Sequence, residues 1–565
     1  MANVPSNAKT AKPAETLEQA FASDGYEVVN RVNFQGKRGF KAQSRTAFNY
    51  ETKEKKTVYY LEGSGYQTGY LMGLLACPQV ERMTEGFLDD IIPSFFHSSE
   101  TKPKHEWLWK LAIDLIEDLD KKMRAVVPQR LLDEMQGLVD GCGAANRQTK
   151  VSFDKIFALN VGVDFLLSIV YNVEGLWKKI PGIQPQHVHA PIFCNAFAAF
   201  GNATADGAHY FGRDFMFPTA NVFQDTACMV IYNPDPDESG ETLLPAVAVT
   251  APGFVGSITI MNASGVGIGV DMAPAGDINH PHPGFNSLLL VREAGQRGDS
   301  AEAALQTMIE ARRGVSWIYM IADGTNNKAA VVEAGAYTDN LQPLDFPPKE
   351  LKKSGLLPDQ NFLNQYETQK PQNGLMVRWN DYQYPEAFFR FNPELFKKYG
   401  KAYNPAAFDE QGFINPTNSD ANCPKAFYFA PQRETKPDVV LATNMFLTPS
   451  MRLCSMDPWT VEVAGSHCDN LQWRYDTLNK LILEAYGRID ATTAREIIDF
   501  LAPYGKYPEY YKNNIPSSDG KTVQINGATS LCNLTERTIT THYGYFADEW
   551  ISLRLPNYIP KHDVS

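Results

Sequence analysis

The sequence predicts a layered α+β fold. Residues 65 to 180 carry apolar side chains at helical spacing, as in LAIDLIEDLDKKM and LLDEMQGLVDG. After Cys194 the pattern changes to short β-rich runs, with helices between some of them. Paired strands that alternate with helices are typical of a core in which helices pack on sheets.

The N-terminal third is predicted to begin with strands and to continue as helices. Residues 1 to 60 hold a polar arm and two β-type runs, YEVVNRV and TVYYLEG, which we expect to form a hairpin. GSGYQTGYLMG opens a helical segment, residues 61 to 193, in which Gly141 ends one helix and Ser152 caps another.

Residues 194 to 565 are predicted to form the main core. Its strands are expected in TACMVIYN, LPAVAVTA, SITIMNASGVGIGV, SWIYMIAD, AAVVEAG and VVLATN. One helix is predicted over SLLLVREAGQRGDSAEAALQTMIEARR, and two more over WRYDTLNKLILEAYG and TAREIIDFLAPYG. Residues 336 to 438 are rich in Pro, Tyr, Phe and Asn, and we expect an inserted subdomain there because structureless loops of that length are uncommon.

Charge and hydropathy argue against several classes of partner. The chain of 565 residues has a net charge of −13 and no basic cluster, so nucleic acid and anionic membranes are not expected to bind it. No run approaches the ~20 apolar residues of a membrane helix, and no integral membrane segment is predicted. The N-terminus lacks the apolar core of a signal peptide, which fits a cytosolic chain or a mature secreted one. A periplasmic or secreted location is slightly favoured.

The cysteines and the common catalytic motifs give no metal or cofactor site. The eight cysteines are scattered without a CxxC pair, so neither zinc nor another metal or cofactor is expected. Disulfide bonds among Cys423, Cys454 and Cys468 stay open. His105 lacks the second His of a metalloprotease helix, and Ile515 stands where a phosphate-binding loop needs its first Gly.

One stretch, FCNAFAAFGNATADGAHYFGRD, concentrates reactive and charged residues. It places Cys194 before an apolar run, then a turn, then a second run that ends in Arg213 and Asp214. A buried structural thiol is the simplest interpretation of an isolated Cys, because Cys is among the most buried residue types. The motifs that follow favour a nucleophile instead.

This stretch resembles the start of the catalytic chain in the cysteine-type N-terminal-nucleophile (Ntn) hydrolases, which is a Cys, a turn with Asp/Asn-Gly and a strand ending in Gly-Arg-Asn. The similarity continues in order along the chain. IMNASGVGIGV resembles a Met-Asn-x-x-Gly strand pair, SWIYMIADGTNNKAAVVEAG a hairpin ending in Val-Glu, LATNMF a Thr-Asn-His-Phe segment, and DNLQWRYDTL a Ser-x-x-Arg-Tyr segment. GSGYQTGYLMG is similar to a Gly-x-x-Tyr-x-x-Gly opening of a propeptide.

The branch that these motifs resemble is the acyl-coenzyme A:6-aminopenicillanic acid acyltransferase (peptidase C45) family, related to choloylglycine hydrolase, penicillin V acylase and acid ceramidase. The similarity spans about residues 60 to 550 apart from the insert. It implies a four-layer αββα sandwich and a cut of the Phe193–Cys194 bond by Cys194 itself. The two resulting chains would stay associated as αβ, and higher oligomers stay open.

The resemblance also implies an activity. It is hydrolysis of a linear amide, or transfer of its acyl group, through a thioester on Cys194. The substrate would be a small molecule, and the aromatic insert favours an apolar acyl chain or an aromatic amide.

Site roles carry over residue by residue. The freed α-amine of Cys194, with an ordinary pKa near ~8, would take the proton of its own thiol, whose ordinary pKa is about 8.5. Arg213 would lower the thiol pKa through its charge. Asn444 would donate its side-chain N–H to the oxyanion. Arg474 would balance charge or orient Asn444.

Three further residues belong to the same region. Asp271 and Met272 fall where a second contributor to the oxyanion hole is expected, as a backbone N–H. Asn262 is expected to stabilise a turn rather than to react. Structural alternatives stay open for the main residues: a surface ion pair for Arg213 and Asp214, a turn cap for Asn444 and a helix-face charge for Arg474.

One position departs from the family pattern Gly-Arg-Asn-x-Asp. Met216 stands where the family has the Asp that holds the free amine, and Asp214 takes the Asn position. Either Asp214 supplies the carboxylate or catalysis is impaired. Two alternative functions therefore stay open: an inactive member that binds a ligand or partner, and a phospholipase B- or ceramidase-like lipid hydrolase, which the acidic charge balance disfavours.

Overall fold

The computed structural model describes residues 16–49, 52–95, 123–171, 194–218, 221–273, 284–285, 287–337, 372–382, 436–448, 451, 468–500, 525–544 and 550–559. These residues form a mixed α+β structure with two sheets, which confirms the predicted α+β class.

Ten strands of the described residues form one sheet, here called the large sheet. In spatial order they are β1 (Tyr26–Phe34), β2 (Lys37–Phe48), β3 (Lys55–Gly63), β6 (Cys228–Pro234), β7 (Ala246–Thr250), β8 (Thr259–Asn262), β9 (Val266–Met272), β10 (Trp317–Asp323), β11 (Lys328–Ala334) and β12 (Leu375–Trp379). The β3–β6 pair is parallel, whereas the other pairs of neighbours are antiparallel. The N-terminal strands are thus continuous with the core strands.

Six described strands form the small sheet, which is antiparallel throughout. Their order is β13 (Val439–Thr443), β4 (Asn195–Ala199), β5 (Tyr210–Pro218), β14 (Ile525–Asn533), β15 (Thr538–Gly544) and β16 (Ile551–Arg554). Every residue of β4 is buried, because both faces of this strand are covered.

Helices pack on both sheets. In chain order they are α1 (Leu17–Ser23), α2 (Gly65–Phe95), α3 (Gln129–Ala145), α4 (Phe153–Tyr171), α5 (Asn221–Thr226), α6 (Ser287–Arg297), α7 (Ala301–Glu310), α8 (Cys468–Ala485) and α9 (Ala491–Phe500). Helices α2, α6 and α7 contact the large sheet, and α8 and α9 contact the small sheet. The described part of the chain has no helix long and apolar enough to cross a membrane.

Helices α2 and α3 touch through their backbones. A Cβ atom added to Gly69 would lie 1.9 Å from the carbonyl oxygen of Glu134, and one added to Gly137 would lie 2.0 Å from that of Tyr66. Only glycine permits this approach, so the GSGYQTGYLMG segment serves close helix packing.

The two sheets contact each other through buried side chains. Lys56 of β3 donates from Nζ to the carbonyl oxygen of Tyr543 in β15 at 2.5 Å. Phe211 of β5 packs on Gly267 of β9, where an added Cβ would lie 2.8 Å from the ring. Arg213 of β5 also reaches the large sheet, and its contacts belong to the candidate site.

Three local expectations were wrong. Gly141 does not end a helix but lies inside α3, where it packs against α2 and an added Cβ would lie 2.2 Å from the carbonyl oxygen of Tyr70. The predicted hairpin of YEVVNRV with TVYYLEG is interrupted by β2, which lies between β1 and β3 and pairs with both. The helix predicted as one piece is divided into α6 and α7. Gly298 has no room for a Cβ, which would lie 2.6 Å from that of Ala304, and Ser300 caps α7 by accepting a hydrogen bond from Ala303 N at 3.3 Å.

Several predicted features fall outside the described residues. They include most of the 336–438 insert, of which β12 forms part of the large sheet, and most of LAIDLIEDLDKKM. Phe193, Cys423, Cys454 and the side chain of Cys468 also lie outside them. The predicted domain limits remain predictions.

Candidate active site

Cys194 lies directly before β4 and is fully buried. Its backbone is held on both sides by side chains. The amide N–H donates to Oδ1 of Asn444 at 2.7 Å, and the carbonyl oxygen accepts from Nη1 of Arg474 at 2.6 Å. Because β13 pairs with β4 so that Thr443 lies opposite Asn195, Asn444 is carried to the position beside Cys194.

Asn444 joins three segments of the chain. Its Oδ1 accepts from Cys194 N and from Nη2 of Arg474 at 2.9 Å, while its Nδ2 donates to the carbonyl oxygen of Met272 at 2.8 Å. A side-chain amide carries two hydrogens, so the bond to Met272 uses one of the donors that the sequence assigns to an oxyanion. Met272 enters the site through its carbonyl group in this arrangement.

Arg474 reaches the small sheet from α8. Besides Cys194 and Asn444, it donates to Oδ1 of Asn195 at 2.8 Å. Its buried guanidinium therefore connects the backbone of Cys194 with the next residue along β4.

Asp214 lies on the same face of the small sheet as Asn195, its partner in the β4–β5 register. Its carboxylate accepts from the backbone N of Asn195 at 2.6 Å and from Nδ2 at 2.9 and 3.0 Å. Burial raises the pKa of the Asp214 carboxyl to about 7, although the hydrogen bonds from Asn195 and the charge of Arg474 lower it. The family Asp position, Met216, lies two residues further along β5, opposite Gly527 in the register.

Arg213 points to the opposite face, between the two sheets, because successive residues of a strand alternate. It donates to Oγ1 of Thr259 at 3.2 Å and to Oδ1 of Asp271 at 3.3 Å. Gly269 makes room for it, since a Cβ there would lie 2.8 Å from Cδ of Arg213. Burial lowers the pKa of Arg213, while the charges of Asp271 and Cys194 oppose that shift. The guanidinium thus acts electrostatically on Cys194.

Asp271 is the second buried carboxylate of the site. Burial raises its pKa to about 6, against the charges of Arg213 and Arg474. Within the described residues, its Oδ2 and the Nε of Arg213 have no hydrogen-bond partner. Buried polar atoms are usually paired, so these two atoms are exceptions within the cluster.

Asn262 lies apart from this cluster, at the turn between β8 and β9. Its Nδ2 donates to the carbonyl oxygens of Gly295 and Gly298, and its Oδ1 accepts from the backbone N of Ser264 and Val266. These four bonds use the full capacity of the amide, so the residue stabilises the turn.

The structure also brings together residues that sequence reasoning did not single out. Asn195 links Asp214 to Arg474, Thr259 accepts from Arg213, and Gly269 provides space. The one signal for Asn195 is its place directly after the Cys. Gly269 lies in the GVGIGV repeat, where alternate glycines on one face of a strand indicate close packing.

Among known proteins, the chain has a distant relative in sequence. No family model matches the chain. An uncharacterized protein of Archaeoglobus fulgidus is 28% identical over 502 residues, a match that spans 88% of this chain and 65% of that protein. The chain therefore spans just under two thirds of the length of this curated relative.

The similar solved structures include two kinds of hydrolase. A Caenorhabditis elegans ortholog of N-acylethanolamine-hydrolyzing acid amidase aligns with a TM-score of 0.30 and 9% identity, over 60% of this chain and 93% of that one. Two variants of conjugated bile acid hydrolase from Clostridium perfringens align with TM-scores of 0.28 and 0.30 and identities of 12% and 13%, over 64% of this chain and 92% and 93% of theirs.

Proposed function

We propose that this chain is a cysteine Ntn hydrolase or acyltransferase that acts on a linear amide of a small molecule. The observation that carries the proposal is the way in which Cys194 is held. Asn444 and Arg474 bind the two backbone groups of Cys194, and a buried arginine acts on it electrostatically. A structural cysteine does not require polar side chains from distant segments to bind both its N–H and its carbonyl group.

The fold within this proposal is a four-layer αββα sandwich. Helices α2, α6 and α7 on the large sheet and α8 and α9 on the small sheet would form the outer layers. The contact of Arg213 with Asp271 between the two sheets supports the inner pair of layers.

Self-cleavage would begin at the bond before Cys194. The sulfur attacks the carbonyl carbon of Phe193, the C–N bond breaks as the nitrogen takes a proton, and a thioester joins Phe193 to the sulfur. Water then hydrolyses the thioester to a carboxylate and a free thiol. The Oδ1 of Asn444 accepts the Cys194 N–H and would hold the same nitrogen after it becomes an amine.

Turnover would use this new amine as the base for the thiol of its own residue. The thiolate attacks the amide carbonyl of the substrate, the amine product leaves with a proton, and an acyl thioester remains on Cys194. Water resolves it in a hydrolase, and an acceptor amine does so in an acyltransferase. Arg213 would favour the thiolate by its charge, and the second amide hydrogen of Asn444 would stabilise the oxyanion.

The missing family carboxylate is the weak point of the proposed chemistry. Asp214 binds the amide of Asn195, one residue beyond the nucleophile, and acts on Cys194 through Asn195 and Arg474. If this indirect contact does not suffice, the chain is an inactive member that binds a ligand without chemistry. Met216 is the feature that favours this second candidate.

The mass of the denatured protein tests the proposal. Wild type is expected to give two chains, residues 1–193 and 194–565, and Cys194→Ala is expected to give one. A wild-type protein that stays a single chain on prolonged incubation would overturn self-cleavage. In that case Met216→Asp would be the first variant to examine for restored cleavage.

A further inference from the structure

Glu333 of β11 is fully buried and binds a segment that lies far along the chain. Its carboxylate accepts from Leu447 N at 2.7 Å, from Thr448 N at 3.0 Å and from Oγ1 of Thr448 at 2.6 Å. It also forms an ion pair with Nε of Arg378 in β12 at 2.7 Å. A fully buried carboxylate is stable only with such a set of donors.

These contacts fix the chain directly after Asn444. Met445 N donates to the carbonyl oxygen of Thr443 at 2.8 Å, so the chain makes a sharp turn with Asn444 at its centre. The pairing of β13 with β4 holds one arm of this turn, and Glu333 holds the other arm at residues 447 and 448.

The register of the large sheet relates Glu333 to the candidate site. Glu333 lies opposite Ile318, and Ile318 lies opposite Asp271. Glu333 and Asp271 therefore lie at the same level of the large sheet. Glu333 holds the chain after Asn444, while Met272, the residue after Asp271, accepts the hydrogen bond from Nδ2 of Asn444.

We infer that Glu333 is a positioning residue for Asn444, and through Asn444 for the backbone of Cys194. The effect of Glu333 on catalysis rests on the proposed function, whereas the effect of Glu333 on the turn at Asn444 does not. Replacement by Gln would direct an NH₂ group at the N–H donors of residues 447 and 448, so at least one of these bonds would be lost.

The first test compares Glu333→Gln with Glu293→Gln during synthesis in a cell-free system. Glu293 is a matched control because it is also a buried carboxylate in ion pairs. Its partners within the described residues are Arg130 and Arg297, neither of which belongs to the cluster around Cys194. We expect Glu333→Gln to slow self-cleavage about 100-fold, as misplacement of a reacting group does, and Glu293→Gln to leave it within about threefold. Equal effects of the two variants would overturn the inference.

A double variant separates positioning from general loss of stability. If Glu333 acts only through Asn444, Glu333→Gln is expected to cause no further slowing in an Asn444→Ala background. If the double variant instead slows self-cleavage by the product of the two single-variant effects, Glu333 does not act through Asn444. Thr448→Val removes only the hydroxyl donor and gives an intermediate slowing even if Glu333→Gln does not fold.

Hydrogen exchange tests the inference without any need for activity. In an uncleaved Cys194→Ala chain, the amide of residue 194 is expected to exchange about tenfold faster with Glu333→Gln, because its acceptor Asn444 is displaced, and unchanged with Glu293→Gln. Unchanged exchange in both would refute the role of Glu333. If wild type never cleaves itself, the proposed function fails while this measurement still decides the role of Glu333.

Discussion

Among the residues that the structure describes, four charged side chains are buried around Cys194: Arg213, Arg474, Asp214 and Asp271. With both carboxylates ionised their charges cancel. In the uncleaved chain, where Cys194 has no free amine to take the proton and balance the charge, a thiolate would therefore add an uncompensated negative charge in a medium of low polarity. Protonation of either carboxyl removes that penalty. Since burial raises the two pKa values to about 7 and about 6, the charge of the site changes in the range where a thiol must be activated.

The raised pKa of Asp214 predicts a pH dependence of stability. Because the folded chain holds this proton more tightly than the unfolded chain, the contribution is full below the ordinary pKa of 3.8 and is lost as the pH rises through about 7. An Asn at this position has no proton to lose, so the Asp214→Asn variant does not lose stability in this way as the pH rises. We expect the difference in unfolding free energy, variant minus parent, to increase by about 2 kcal/mol between about pH 5 and pH 7.

The measurement is denaturant unfolding in a Cys194→Ala background, which keeps one chain. Asp237→Asn is the control. Burial raises the pKa of Asp237. The hydrogen bonds from Ser239 and Arg297 and the charge of Arg297 lower it by more, so the pKa lies below its ordinary value. Its contribution is therefore constant over this pH window. A pH-independent difference for Asp214→Asn would contradict the buried carboxyl.

Side-chain placement was predictable only in part. The order of motifs singled out Cys194, Arg213, Asn444 and Arg474, and the structure brings these four into one cluster. The sequence places Asp214 and Arg213 on opposite faces of a strand, but it could not tell that Arg213 is the one that faces the large sheet, because that depends on how the two sheets pack.

At the scale of elements, the α2–α3 pair depends on glycine. The helices approach so closely that backbone meets backbone, which requires residues without a Cβ at the contact. This pair lies in the segment that the proposal assigns to the smaller chain.

Two glycines of α3 give a matched comparison. A Cβ at Gly137 would lie 2.0 Å from Tyr66 O, whereas one at Gly143 meets nothing within 4 Å. Gly137→Ala is expected to destabilise the protein by about 1–3 kcal/mol through overpacking. Gly143→Ala is expected to stabilise it by up to about 1 kcal/mol through helix propensity. Thermal unfolding midpoints that shift in the same direction would contradict the close contact.

Many of the described strands followed from apolar runs, but five were not predicted: β2, β12, β14, β15 and β16. The first of them, β2, shows a physical reason. KRGFKAQSRTAF has few apolar residues, and its buried positions include Gly39 and Ser44. The burial comes from pairing with β1 and β3 and from helix α2, which no local pattern reveals.

At the scale of the whole molecule, the large sheet contains strands from both sides of the proposed cleavage site: β1, β2 and β3 precede Cys194 in the chain, and the other strands of this sheet follow it. β3 and β6 pair in parallel from Thr57 opposite Cys228 to Gly63 opposite Pro234. Buried ion pairs such as Arg130 with Glu293 connect the same two parts. A cut before Cys194 would leave both sets of contacts intact.

We therefore expect the cleaved chains to remain one particle. In 1 M NaCl they should elute together in gel filtration, because salt screens exposed charges but not buried pairs or sheet hydrogen bonds. They should separate only in denaturant. Separate elution in salt without denaturant would show that the N-terminal part is released.

The way in which Cys194 is held sets an order of events during synthesis. Asn444 and Arg474 follow it by 250 and 280 residues. At ribosomal speeds of about 5–20 residues per second, roughly 15 to 60 s pass between the emergence of the nucleophile and that of Arg474. A truncated polypeptide would thus carry the scissile bond but not the groups that act on it, and the cut would report that translation had reached the C-terminal helices.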